Sequence, residues 1–140
     1  MSTRAMIGIK MLAGGVRATC LHNDGHVMHT GYTLAIFYGS EAKFRALLEL
    51  GDLSAIGERL APESKEAHSF VAPAEGVTVA YHRDRGEALR PAREYASPEA
   101  YLAALKEFAA SYLYLFDSGR LLVASSTTAE FIEIKFTTGK

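Results

Sequence analysis

The run Arg4-Ala5-Met6-Ile7-Gly8-Ile9-Lys10-Met11-Leu12-Ala13-Gly14-Gly15-Val16-Arg17-Ala18-Thr19-Cys20-Leu21-His22 reads as two strands joined by a turn. Ala5, Ile7 and Ile9 alternate with Arg4, Met6, Gly8 and Lys10, the period-two pattern of a strand over Arg4 to Leu12. Gly14-Gly15 supplies the positive φ angles of a tight hairpin, and Val16 to His22 is β-rich. Similar logic places a hairpin at Asp117-Ser118-Gly119-Arg120, between Tyr112–Phe116 and Leu121–Ala124. Val77, Val79 and Tyr81 alternate with Thr78, Ala80 and His82, which reads as a half-buried strand leaving through an Arg83–Gly86 turn.

Helix signals fill the spaces between. Tyr32 to Tyr38 is an apolar run that suits a short helix. Ser40 can cap a helix carrying Phe44, Leu47 and Leu48 on one face, with Gly51 just past its end. Asp52 to Gly57 suggests a further helical turn, and 61–76, with Pro62 and Pro73, reads as a loop. Ser97-Pro98-Glu99 starts a helix whose stripe is Tyr101, Leu102, Leu105, Phe108 and Ala109. Phe131, Ile132, Ile134 and Phe136 form either a last strand or a loosely held tail within 128–140. The expected fold is α+β: one domain over 1–140, with an antiparallel sheet of about five strands and two or three helices on one face.

Composition narrows the function classes. The chain has 140 residues, 15 basic and 16 acidic side chains, and a net charge of −1, which opposes a broad grip on long nucleic acid. A single Cys excludes an intrachain disulfide framework and a cysteine-rich zinc site. No apolar run approaches the length of a membrane span, and Met1-Ser2-Thr3-Arg4 opens no signal peptide, so a cytoplasmic protein is expected. No Walker loop, dinucleotide fingerprint or nucleophile elbow is present, and no cofactor is expected.

Three groups could carry chemistry. Cys20 is either a nucleophile or a small buried apolar residue, and its place inside a strand favours the second. His22, Asp24, His26 and His29 could surround a divalent ion, but Asn23-Asp24-Gly25 is also ordinary turn chemistry, and no metal is assigned. Tyr81-His82-Arg83-Asp84-Arg85-Gly86-Glu87 is the sharper feature, since guanidinium forks match phosphate oxygens. Its bland alternative is a solvated turn with surface ion pairs. From Arg83 to Arg93 four Arg face Asp84 and Glu87, a local net of +2 with no Lys, which suits a small phosphate ligand. Tyr32, Tyr38 and Tyr81 lie near polar loops, where a ring could stack on a base.

The order of motifs resembles small phage- and prophage-encoded proteins of uncharacterised type. The matching segments are Thr3-Arg4, His22-Asn23-Asp24-Gly25-His26, Leu50-Gly51-Asp52-Leu53-Ser54, Tyr81 through Glu87, and Tyr112-Leu113-Tyr114-Leu115-Phe116. Asn23 and His26 stand where that pattern has aromatic residues, and the segment from Pro62 to Pro73 is longer. By analogy of context, the resemblance implies a phage-encoded sponge in the host cytoplasm. It would sequester a small nucleotide immune signal, such as a cyclic nucleotide or a cyclic ADP-ribose isomer. The ligand-binding residues expected on this reading are Arg4, His22, Asp24, His26, Tyr81, His82, Arg83, Asp84 and Arg85. A homo-oligomer is expected to build the pocket, with no long nucleic acid and no membrane as partner. Alternatives are a protein-binding inhibitor of a host enzyme and an enzyme that degrades such a nucleotide.

Overall fold

The structure, a computed structural model, describes residues 3–136. It is a mixed α+β fold around a single sheet. The opening hairpin forms as expected: β1 (Ala5–Lys10) pairs antiparallel with β2 (Val16–Leu21) through a turn in which Gly14 takes φ 101°. The second hairpin also forms, joining β6 (Tyr112–Asp117) to β7 (Arg120–Ser125). Its turn residues Ser118 and Gly119 both adopt positive φ, 52° and 85°, whose twist matches the flanking strands.

Four short strands complete the sheet: β3 (Leu53–Ala55), β4 (Val79–Ala80), β5 (Arg93–Tyr95) and β8 (Ile132–Ile134). The order is β4-β3-β2-β1-β6-β7-β8, with β5 also on β2, so eight strands replace the expected five or so. Most pairings are antiparallel, but β1 with β6 and β2 with β3 are parallel. β4 falls within the strand expected over Val77 to His82 and β8 within the expected last strand or tail, whereas β3 and β5 are three residues long and rely on partners distant in sequence, which local periodicity does not register. Of the segment 128–140 read as a strand or tail, residues 137–140 lie outside the described residues.

The helices are α1 (Tyr32–Phe37), α2 (Glu41–Leu48), α3 (Tyr81–Arg85), α4 (Pro98–Tyr101) and α5 (Ala104–Glu107), with one π-helical turn over Val27–Gly31. They cover both faces of the sheet, which corrects the expectation of one. Ala5, Ile7 and Ile9 of β1 pack with Tyr114 and Phe116 of β6 under Leu34, Phe44, Leu47 and Leu48 of α1 and α2. Phe44 stacks on Phe116 at 4.9 Å, and trimming it to Ala should cost about 3–5 kcal/mol. Met6, Val16, Ala18, Leu113 and Leu115 turn the other way, against Tyr101 and Ala104 of α4 and α5. Gly8 makes room there, since a Cβ would stand 3.1 Å from the Tyr101 ring. The Tyr101 hydroxyl, fully buried, donates to the Tyr114 carbonyl at 3.0 Å.

Capping follows the sequence signals. Ser40 Oγ accepts from Lys43 N–H at the start of α2, and Ser97 Oγ from Ala100 N–H at the start of α4. Three local expectations are corrected. The helix through Ala109 breaks into two pieces; 52–57 gives β3 instead of a helical turn. The strand expected over Val77 to His82 ends at Ala80, where the chain folds into α3 because Asp84 Oδ2 reaches back to accept Ala80 N–H at 2.8 Å. Among the described residues no helix is long and apolar enough to cross a membrane.

Candidate functional site

One edge of β2 changes partner partway along. Val16 to Ala18 pair with β5, while Leu21 pairs with β3. Between them the Cys20 N–H has no strand to meet, and the Asp52 carboxylate takes it instead, Oδ1 accepting at 3.0 Å. The same carboxylate holds Arg93 of β5 by two bonds, Nη1 to Oδ1 at 2.6 Å and Nη2 to Oδ2 at 3.1 Å. An ion pair therefore bridges the fork in the sheet, and a cleft of about 320 Å³ opens over it.

Arg4, just before β1, reaches this cleft, as do His22 at the end of β2, Tyr81 and His82 at the start of α3, and Arg90. His22 Nδ1 lies 3.0 Å from the Tyr81 hydroxyl, and His82 Nδ1 lies 2.6 Å from the Glu87 carbonyl oxygen. Phe108 forms part of the wall, with the Arg93 guanidinium 5.0 Å above its ring. Gly51 matters here: it has φ +79°, and a Cβ would come within 2.7 Å of the Arg90 carbonyl oxygen. Only glycine lets the segment carrying Arg90 close down on the sheet.

Electrostatically the cleft is mixed. Arg93 is spent on Asp52, and the bonds to that carboxylate push its pKa further up. Glu87 is shared with Arg85 at 3.3 Å. Among the described residues the guanidinium groups of Arg4 and Arg90 have no partner, so both are free to meet an anion. Burial, then the Asp52 carboxylate, pushes the Cys20 thiol up to about 11, which removes it as a nucleophile at neutral pH.

The remaining expected residues stand elsewhere. Asp24 and His26 are exposed in the 22–26 loop and do not line the cleft. His26 sits beside His29, ring centres 6.2 Å apart, and among the described residues no group of three or more His, Cys, Asp or Glu could hold a metal ion. Arg83 donates to the carbonyls of Leu60 and Thr78 at 2.7 and 2.6 Å and to both Asp84 oxygens. Asp84 in turn faces His68 Nε2 at 3.2 Å, while His68 Nδ1 accepts Ala74 N–H at 2.9 Å. Burial pushes the Asp84 carboxyl up, but hydrogen bonds from Arg83, Ala80 N–H and His68 outweigh it and hold its pKa below the usual range. Arg83 and Asp84 thus pin the 59–78 loop. Arg85 lies over the Phe70 ring at 4.8 Å, on the outside of the same turn.

Of the residues expected from sequence to bind a ligand, the cleft brings together Arg4, His22, Tyr81 and His82, and it adds Asp52, Phe108, Arg90 and Arg93, which that set leaves out. The local excess of Arg up to Arg93 was the signal that pointed toward Arg90 and Arg93. Nothing local marks Asp52, whose partner is 41 residues away. Comparison with protein-family models, with curated proteins and with solved structures found no match.

Proposed function

We propose that the chain is a binding protein that sequesters a small nucleotide-derived phosphate in the cleft above the Asp52–Arg93 pair. The observation that carries this reading is the presence of two uncommitted guanidinium groups, Arg4 and Arg90, in a cleft that also offers Tyr81 and Phe108 rings. Guanidinium forks suit phosphate oxygens, and the rings suit a base. A volume of about 320 Å³ is at the small end of ligand pockets and fits a compact ligand better than a polymer. In the phage setting implied by the motif resemblance, the protein would act as a sink for a nucleotide immune signal in the host cytoplasm.

The test is retention and release. The protein is incubated with cyclic mono- and dinucleotides and cyclic ADP-ribose isomers, freed of unbound ligand, then denatured by heat. Stoichiometric release of an unchanged nucleotide supports sequestration. Release of an altered nucleotide would make the protein an enzyme, and no depletion of any of these compounds would overturn the assignment.

A further inference from the structure

The sheet path ends at β8, whose inner edge pairs with β7 and whose outer edge meets no strand among the described residues. Open edges are usually blunted, often by a charge that no incoming strand can satisfy. Here β8 is only Ile132–Ile134, and with the two residues that follow it the segment alternates as Ile132, Glu133, Ile134, Lys135, Phe136, so its two charges are of opposite sign and a second copy could satisfy both. Ile132 is 57% exposed, and the Phe136 ring meets the exposed Tyr32 ring edge-on at 5.5 Å, extending the apolar row. On the opposite face Glu133 has only long contacts, 3.9 Å to Arg120 and 4.0 Å to Lys135, and Lys135 is 82% exposed. Both charges have room for better partners.

We propose that this edge is a homodimer interface in which β8 and the two residues after it, 132–136, pair antiparallel with the same segment of a second copy, the two-fold axis passing at Ile134. The register follows from the charges. A two-fold axis normal to the sheet keeps each side chain on its own face, so directly opposed residues must share parity. Centring on Glu133 sets carboxylate against carboxylate, and centring on Lys135 sets ammonium against ammonium. Centring on Ile134 places each Glu133 opposite the Lys135 of the other copy, while Ile132 meets Phe136. Unlike charges across a strand pair stabilise it and like charges oppose it, so one register is selected over its neighbours. The dimer sheet then runs continuously through both copies. This surface is remote from the cleft in sheet order and does not depend on what the cleft binds.

Charge reversal tests the register. Sedimentation velocity of the full chain should show wild type moving from 15.2 kDa toward twice that mass as concentration rises. Glu133→Lys and Lys135→Glu should each weaken the dimer at least tenfold, and the double exchange should restore it. Ile134→Cys provides a second route, because opposed Cα atoms of an antiparallel pair stand about 4.5–5.5 Å apart, within disulfide range. It should give a cross-linked dimer on oxidation where wild type, with Cys20 alone, does not. A wild type that stays monomeric would overturn the interface, as would single reversals that leave the dimer intact. If a reversal variant does not fold, the absence of the Ile134→Cys cross-link would overturn it instead.

Discussion

The Arg93 guanidinium lies fork-to-fork on the Asp52 carboxylate, at 2.6 and 3.1 Å, at the point where β2 exchanges β5 for β3. Because Oδ1 also accepts the Cys20 N–H, this carboxylate closes a gap in the sheet edge as well as an ion pair. Asp52→Ala should therefore strand a backbone donor and a half-buried cation together, costing about 2–4 kcal/mol in urea unfolding. A variant with unchanged stability would mean that the fork holds together without it.

Arg90 and Arg4 should behave differently. Each is exposed, and neither has a partner among the described residues. Replacing either with Ala should change stability by no more than about 0.5 kcal/mol. If the cleft holds a nucleotide phosphate, each loss should weaken retention by roughly 10- to 100-fold, the value of a charge-assisted hydrogen bond of about 1.5–3 kcal/mol. Equilibrium dialysis with the nucleotide released in the heat assay measures this. Retention equal to wild type would exclude that guanidinium from the site.

Arg83 and Arg85, two residues apart, should separate by effect. Arg83 satisfies two loop carbonyls and the Asp84 carboxylate, whose side chain is 5% exposed. Arg83→Ala leaves that charge without its cation and should cost about 3 kcal/mol or more. Arg85 is 54% exposed, so its contacts with Glu87 and Phe70 contribute about 1 kcal/mol or less. Thermal melts of the two variants test the difference, and equal losses would contradict a clasp centred on Arg83.

The same pair shows why the site was only partly legible in sequence. Arg83 and Arg85 are chemically alike in a row of residues. What distinguishes them is that α3 begins at Tyr81, turning Arg83 back onto the carbonyls of residues 60 and 78. That helical turn exists because Asp84 caps Ala80 N–H, a contact that the strand-like alternation from Val77 to His82 conceals. The two hairpins were legible because glycines and alternation lie within a few residues of each other. So were the Ser40 and Ser97 caps, whose partners are three residues on. By contrast β3 and β5 have no local pattern of their own. They are strands because β2 offers them an edge, and the cleft is the space between them.

Acid should loosen the long loop. Two bonds from Arg59, with one from the Glu63 N–H, hold the Glu66 carboxyl down to about 2, against an ordinary value of 4.5. A depressed carboxyl adds stability above its unfolded pKa and loses it as pH falls through the folded value. Asp84 has the same sign. Melting temperature should thus fall between about pH 4.5 and pH 2, and Glu66→Gln should flatten the part of that fall due to Glu66. Superimposable pH profiles for wild type and Glu66→Gln would show that the Arg59 contact adds nothing in solution.

Cys20 offers a chemical reporter for the cleft floor. With its thiol raised from 9.0 to about 11 by burial and by the Asp52 carboxylate, the thiolate fraction at neutral pH drops roughly a hundredfold. Iodoacetamide at pH 8 should alkylate the folded chain slower than the unfolded chain by about that factor. Asp52→Asn keeps an oxygen for the Cys20 N–H but removes the negative charge, so alkylation should accelerate if the variant melts like wild type. A nucleotide seated between Arg4 and Arg90 would cover the thiol and slow the reaction further, giving an occupancy assay independent of release. Alkylation of folded wild type at the unfolded rate would mean that Cys20 does not lie beneath the cleft.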